Sequence, residues 1–493
     1  MGAFTKIFQR LKLTADTNVS TQTTTVIAAD TTNSSIAIVP NGTGALIADI
    51  PDGAATGGNA RGANAVDLQL NRNAANEVAS GNYSFIGGGI GNKSTNIYSS
   101  ITGGEGNTTS GAWCFIGNGF SNTASTNWST ISGGQTNIAS TNSHATVVGG
   151  LSNTSSGQFS ISGGQLNNAS GQGAVTLGTS NTASSNFSTV SGGQSNTAST
   201  NTHATVVGGA SNTASGQYAV AGGSSNTASG VRAIALGSTN TASGIGASVA
   251  IGNQNTATAD SAIALGRQNN STATFASALG SFNNVSSVGS VAIGYQNTIS
   301  GIGYSLGKNT SITSAESGTT LGNASLSYLY AQSSLASVAF QFVGDAQQSN
   351  LTARREAALT TAATTVLSLD GSGVTNLIIP DGNNRAWNVQ VNWVAVVTTI
   401  TGTATGISVG DVVTSIDLLA FKKIGRVSSA SAHTSTATKL MVTTPAAYAA
   451  CAIAYTAGAS QEMALTFTGP TFVGGGSVTM RVVAKVELTE VAF

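Results

Sequence analysis

Of 493 residues, only 18 are Lys or Arg and 18 are Asp or Glu, so ionic side chains make up 7% of the chain, against roughly 25% in an ordinary soluble domain. A net charge of zero removes the basic footprint that nucleic-acid or anionic-membrane binding requires, so no polynucleotide partner is expected. A hydrophobic content of 40% excludes a disordered polyelectrolyte, and Cys114 and Cys451, single and far apart, exclude a disulfide framework or a thiolate metal site and read as packed thiols.

In chain order, Phe4, Ile7, Phe8 and Leu11 recur at helical spacing with Lys6, Arg10 and Lys12 between them. This short amphipathic segment is either a peptide that docks onto a larger assembly or a local cap. The opening MGAFTKIFQRLKL lacks a continuous apolar stretch and a small-residue cleavage site, so it does not read as a secretory signal. Residues 13–50 alternate Thr with Val, Ile and Ala, as short strands and loops do. Residues 1–84 are taken together as an N-terminal attachment region.

From about residue 85 to 300, within a rod taken as residues 85–325, one pattern recurs: aliphatic, any, small or aliphatic, Gly, any, any, Asn. Its Asn residues run from Asn92 to Asn297 in fifteen copies spaced 14 to 16 apart, and Gly stands three residues before every one of them. Six residues before stands Ile or Val in fourteen of the fifteen, the exception being Ser277. A period this short fits one turn of a β-solenoid and is too short for a helical hairpin repeat. The residues six and four before Asn share strand parity and are expected to point into the coil, with Ser132, Ser191 and Ala235 on the outward face. The invariant Gly allows a positive φ where the strand turns. Asn in register on successive coils forms an amide ladder, tolerates a left-handed turn, or does both. No Pro occurs between Pro51 and Pro380, as a ladder that uses every backbone N–H demands.

The Asn spacings 15, 16, 14, 14 from Asn122 to Asn181 repeat from Asn181 to Asn240, and STNSHATVVGG around His144 returns as STNTHATVVGG around His203. A four-coil block has been duplicated. Four residues before Asn, mostly Gly (Gly133, Gly149, Gly192) gives way to aliphatics (Leu236, Ile251, Leu265), which predicts a fuller core in the second half. Fifteen coils at about 4.8 Å each make a rod of about 70 Å. So thin a coil buries little surface alone, and closed threefold association is the expected remedy.

The copies SVAIGNQNTATADSAIALGRQN and SVAIGYQNTISG resemble the head repeats of trimeric autotransporter adhesins, which implies a left-handed parallel β-roll trimer. SFIGGGIGNKS, ISGGQTNIAS and the upstream GGNARGANAVDLQLNRNAANEVASG are similar to segments of bacteriophage tail fibres. The resemblance covers roughly residues 38–325.

Past residue 325 the repeat decays and half of all charges appear. Residues 326–350 read as a neck, and residues 351–493 as a β-sandwich, because segments such as Trp387 to Val397 and Val478 to Val486 alternate between Gly- and Asn-rich turns. Spans of this region, such as QFVGDAQQSNLTARREAALTTAATTVLSLDG, resemble tip domains of phage fibres. Trp387, Val389, Val391, Trp393 and Ala395 share one strand face and are read as core. The polar segments 399–411 and 427–446, around Thr403, Ser408, His433 and Thr436, are the expected receptor-binding loops. The longest apolar run, Ala446 to Tyr455, is far short of a bilayer span, so no membrane insertion is expected.

Catalysis is not expected. The only acids within residues 85–325 are Glu105, Asp260 and Glu316, and the nearest pair lies about four coils apart, near 19 Å, beyond the roughly 5 to 9.5 Å that glycoside hydrolysis requires. No cofactor and no metal are expected. The fold expected is all-β, a trimeric β-solenoid rod with a C-terminal β-sandwich. The function implied by the resemblance is a phage-tail fibre, made in the host cytoplasm and carried on the virion. It would be held by a tail or baseplate protein through Phe4, Ile7, Phe8 and Leu11 and would touch a host glycan or protein through its C-terminus. A bacterial trimeric surface adhesin and a polysaccharide depolymerase tailspike are the alternatives.

Overall fold

The computed structural model describes residues 40, 42–313, 317–327, 332–336, 346–368, 377–378, 385–423, 446–457 and 462–492. All regular structure among them is β, apart from one short 3-10 turn at Ala446–Tyr448. Residues 85–336 form a β-solenoid of about 18 turns. Each coil contributes one strand to each of two parallel stacks. One stack runs from Leu46–Ile47 through Val66–Asp67 and Phe85–Ile86 to Ser333–Ala336, and the other from Lys93–Ser94 to Leu326–Ser327.

The first stack fixes what lies inside. One residue per coil points inward in a continuous column: Ile86, Ile101, Ile116, Ile131, Val147, Ser162, Thr176, Val190, Val206, Ala221 and Ala235, all at 0% exposure. This corrects the inward pair expected from the repeat. The residue six before Asn is inside at Ile131 and Val147, but Ile234 and Val249 face outward while Ala235 and Ala250, five before, are buried.

A β-bulge causes the exchange. Between Val147 and Gly150 two residues, Val148 and Gly149, oppose only Gly163 of the next coil, and Val207 and Gly208 oppose Gly222 in the same way. Coils with the extra residue bury the sixth position before Asn, and those without it bury the fifth. The bulged Val207 lies directly over Gly222, where an added Cβ would stand 2.3 Å from its Cγ2.

The second half therefore does not have the fuller core expected of it. Its interior column is Ala235, Ala250, Ala264, Ala278 and Ala292, whereas Leu236, Ile251, Leu265, Leu279 and Ile293 line the outside. Interior volume is shared between the stacks. Where the first supplies Ile or Val, the second supplies Ser94, Thr109 or Ala124; where the first supplies Ala292, the second supplies Ile299.

The Asn residues are buried and make the amide ladder. Asn107 donates its backbone N–H (3.0 Å) and its side-chain N–H (3.1 Å) to Asn92 Oδ1, and its Nδ2 also reaches the carbonyl of Gly119 in the following coil (2.8 Å). The left-handed residue is not Asn but its predecessor, as at Ser121 (φ 54), Leu166 (φ 56) and Gln254 (φ 56). The Gly three before Asn has φ from 88 to 127. Its lack of a Cβ is required twice over, since a Cβ on Gly89 would stand 2.0 Å from the carbonyl oxygen of Gly104.

Both ends of the Asn ladder are closed. At the start, Gln69 takes the place of an Asn, accepting from the backbone N–H of Asn92 (3.0 Å) and donating to its carbonyl (2.8 Å). Beside it, fully buried Asp67 holds Arg61 Nε at 2.8 Å and Arg72 at 3.6 Å. At the far end Thr310 donates both its N–H (3.0 Å) and its hydroxyl (2.6 Å) to Asn297 Oδ1.

The last coil strand, Ser333–Ala336, pairs antiparallel with Ala346–Leu359, so the rod continues directly into a C-terminal sheet. That sheet proceeds through Ser477–Ala492 and Arg385–Thr401 to Val412–Lys423. A second antiparallel sheet, Thr364–Leu367, Leu377–Ile378, Ala452–Ala457 and Glu462–Thr468, packs against the first. Val389, Val391, Trp393 and Ala395 are buried between the two sheets, with the Trp393 and Phe467 rings 5.4 Å apart edge to face. Those four are core, as their shared strand face indicated. Cys114 and Cys451 are both buried.

Candidate functional site

Three surfaces stand out. The first is aliphatic. From Leu236 onward the position just beyond the interior residue is Leu or Ile in every coil, in register through Ile251, Leu265, Leu279, Ile293, Leu306 and Leu321 to Leu335. Alternation puts Ile234, Val249, Ile263 and Val291 on the same outer face, two residues earlier on the strand. Ile293 is 42% exposed, and Leu306 and Leu335 are each 52% exposed. A soluble chain rarely leaves so continuous an apolar stripe uncovered.

The second surface is an aromatic column at the corner before the first strand of each coil. Tyr83, Tyr98, Trp113, Trp128 and His144 stack with centroids 4.9 to 5.8 Å apart, and Phe159 continues the column tilted by 34° on His144 at 4.9 Å. After a gap, Phe187, His203 and Tyr218 stack at 5.2 and 4.9 Å. All nine hold φ between 54 and 63, a conformation that bulky residues rarely adopt. Stacking along the coil offsets that cost. Sequence reasoning noted His144 and His203 only as markers of the duplication and missed the column.

The third surface is the expected receptor-binding region. Thr403 and Ser408 are exposed on the loop between Arg385–Thr401 and Val412–Lys423. Gly402, Gly406 and Gly410, with φ of 80, 88 and 95, turn this loop. Asp411 ties it down, accepting from the Ser408 N–H (2.7 Å) and from the Tyr448 hydroxyl (2.5 Å). Burial, and then the Asp411 carboxylate, push the Tyr448 hydroxyl far above the ordinary tyrosine range. Thr405 donates to the Val473 carbonyl (3.1 Å), which brings exposed Val409 (62%) and Val473 (80%) to the same end of the sandwich. His433 and Thr436, and at the other terminus Phe4, Ile7, Phe8 and Leu11, lie outside the described residues.

Glu105 and Asp260 lie on separate coils, each exposed or partly so, and Glu316 lies outside the described residues. Among the described residues no three of His, Cys, Asp and Glu cluster as metal ligands, and no helix is long and apolar enough to cross a membrane.

No known family profile matches the chain, and no curated protein matches it. Among solved structures, the tailspike protein of Acinetobacter phage vB_ApiP_P1 aligns over 87% of this chain and 82% of its own, at 9% identity and a TM-score of 0.21. A TM-score that low carries no argument about fold or function.

Proposed function

We propose that the chain is a trimeric receptor-binding fibre of a phage tail, in which the solenoid is a spacer and the C-terminal sandwich meets the host surface. The observation that carries this reading is the aliphatic stripe from Leu236 to Leu335, exposed on a single chain and straight along the rod. Its occupant is a second and a third copy of the same chain. A stripe parallel to the rod axis is met by the same stripe on neighbours related by a threefold axis along that rod. Covering each half-exposed aliphatic contributes on the order of 1 kcal/mol. Summed over the eight coils from Leu236 to Leu335, that exceeds what any one coil offers by itself.

The resemblance of the repeats to adhesin heads and phage fibres supports the same assembly, and a long rod whose amide ladder is capped at both ends suits a spacer. Three copies of the loop bearing Thr403 and Ser408 at the end of one rod would multiply a weak contact through effective concentration. The proposal assigns no catalysis to the chain. It predicts that the full-length protein coats host cells and that a chain ended after residue 345 remains trimeric without binding them. Equal binding by the shortened chain would move the receptor site onto the rod.

A further inference from the structure

The aliphatic stripe gives copies a reason to associate without fixing the level at which they meet. Leu or Ile recurs on it in every coil from Leu236 to Leu335, so a neighbour slipped by one coil, about 4.8 Å, meets the same apolar side chains. A repeat of this kind needs a second element to set its register.

Charge supplies one. Between Arg232 and Lys308 the chain carries only two ionic side chains, Asp260 and Arg267. Both belong to the same coil: Asp260 stands in the corner turn before the strand Ile263–Arg267, and Arg267 ends that strand. Both are exposed, and the five residues of the strand hold them about 16 Å apart, too far to meet within one chain. Asp260 Oδ1 accepts from the adjacent Ser261 hydroxyl at 3.1 Å, and the Arg267 guanidinium lies 5.3 Å from the centre of the Phe282 ring. Among the described residues neither has an ion-pair partner.

Symmetry brings the two edges together. Three copies about an axis parallel to the rod run their strands in the same sense around it. The edge where a strand ends on one copy therefore lies beside the edge where the equivalent strand begins on the next, at the same height. Asp260 and Arg267 mark those two edges of a single coil.

We propose that Arg267 of each copy pairs with Asp260 of the next, three times around the axis, and that this ring of ion pairs sets the axial register of the fibre. The inference rests on the threefold reading of the stripe. A slip of one coil leaves Arg267 beside the uncharged corners at Ala247 or Phe275. A slip of two coils in one sense brings it level with Arg232, exposed at the corner before Ile234–Ser238, and turns attraction into repulsion.

The test uses the full-length protein, with Asp260→Lys, Arg267→Glu and the double reversal, and follows assembly mass by light scattering through a urea series in 20 mM and 1 M NaCl. In low salt each single reversal is expected to lower the urea midpoint for trimer dissociation, equivalent to association weakened about tenfold, and the double reversal to restore it. In 1 M NaCl, where the screening length is about 3 Å, the differences are expected to shrink. Circular dichroism of the exposed-site variants stays that of the parent. Single reversals without effect, a double reversal that restores nothing, or a loss that persists unchanged in high salt would each overturn the ion-pair ring while leaving a trimeric parent protein standing. A monomeric parent would overturn the threefold reading and the ring with it.

Discussion

The buried amides show how much of this fold rests on single side chains. Asn212 donates to Asn196 Oδ1 (3.0 Å) and to the carbonyls of Gly208 (3.1 Å) and Gly223 (2.7 Å), while its own oxygen accepts from Asn226. Asn212→Ala strands all of these partners in a dry interior, and urea unfolding is expected to show a loss of about 2 to 3 kcal/mol. Cys114 occupies an interior corner position that Ser99 and Ser129 hold in the adjacent coils, with its Sγ 3.1 Å from the Ser129 hydroxyl. Burial pushes its thiol above the ordinary value of 9.0. The folded chain thus keeps this proton to higher pH than the unfolded chain does. The associated stability is complete below about pH 9 and is lost as pH rises through the raised value. Cys114→Ser is expected to leave stability at pH 7 nearly unchanged and to flatten that alkaline loss. An identical alkaline limb in the variant would assign the loss to another group.

At the level of the coil, two glycines on the duplicate strands Thr146–Leu151 and Thr205–Ala210 separate two kinds of constraint. A Cβ on Gly209 would stand 1.8 Å from the Gly223 carbonyl oxygen, whereas one on Gly149, in the bulge, meets nothing nearer than 3.8 Å. Gly209→Ala is expected to cost more than about 3 kcal/mol or to prevent folding. Gly149→Ala pays only for its φ of 142, about 1 kcal/mol, and paired melting curves distinguish the two. The bulge also explains which features the sequence revealed. Period, parallel stacking and the buried Asn are visible in the spacing alone, because Gly and Asn keep a fixed separation. Residues on the other side of the bulge do not keep theirs. Trp128 lies nine before Asn137, whereas Phe159 lies eight before Asn167. Counting back from Asn therefore blurs the aromatic column and exchanges inside for outside at Ala235 and Leu236. The Trp393 face was legible because no irregularity interrupts Val389 to Ala395.

For the whole molecule, the solenoid resolves its open ends within one chain but not its open side. Gln69 closes the start of the amide ladder, with Asp67, Arg61 and Arg72 beside it, and Ala346–Leu359 pairs with the last coil strand at the other end, which covers the edge of Ser333–Ala336. The aliphatic stripe has no such cover within the chain. Its burial between copies is the central claim here, and it makes assembly a condition of solubility. Light scattering on the full-length protein, beside a Leu279→Lys and Ile293→Lys double variant, tests it most directly. The account predicts a species near three times 48.6 kDa that the double variant converts to smaller or aggregated forms. A stable, soluble monomer of 48.6 kDa with the stripe intact would contradict it.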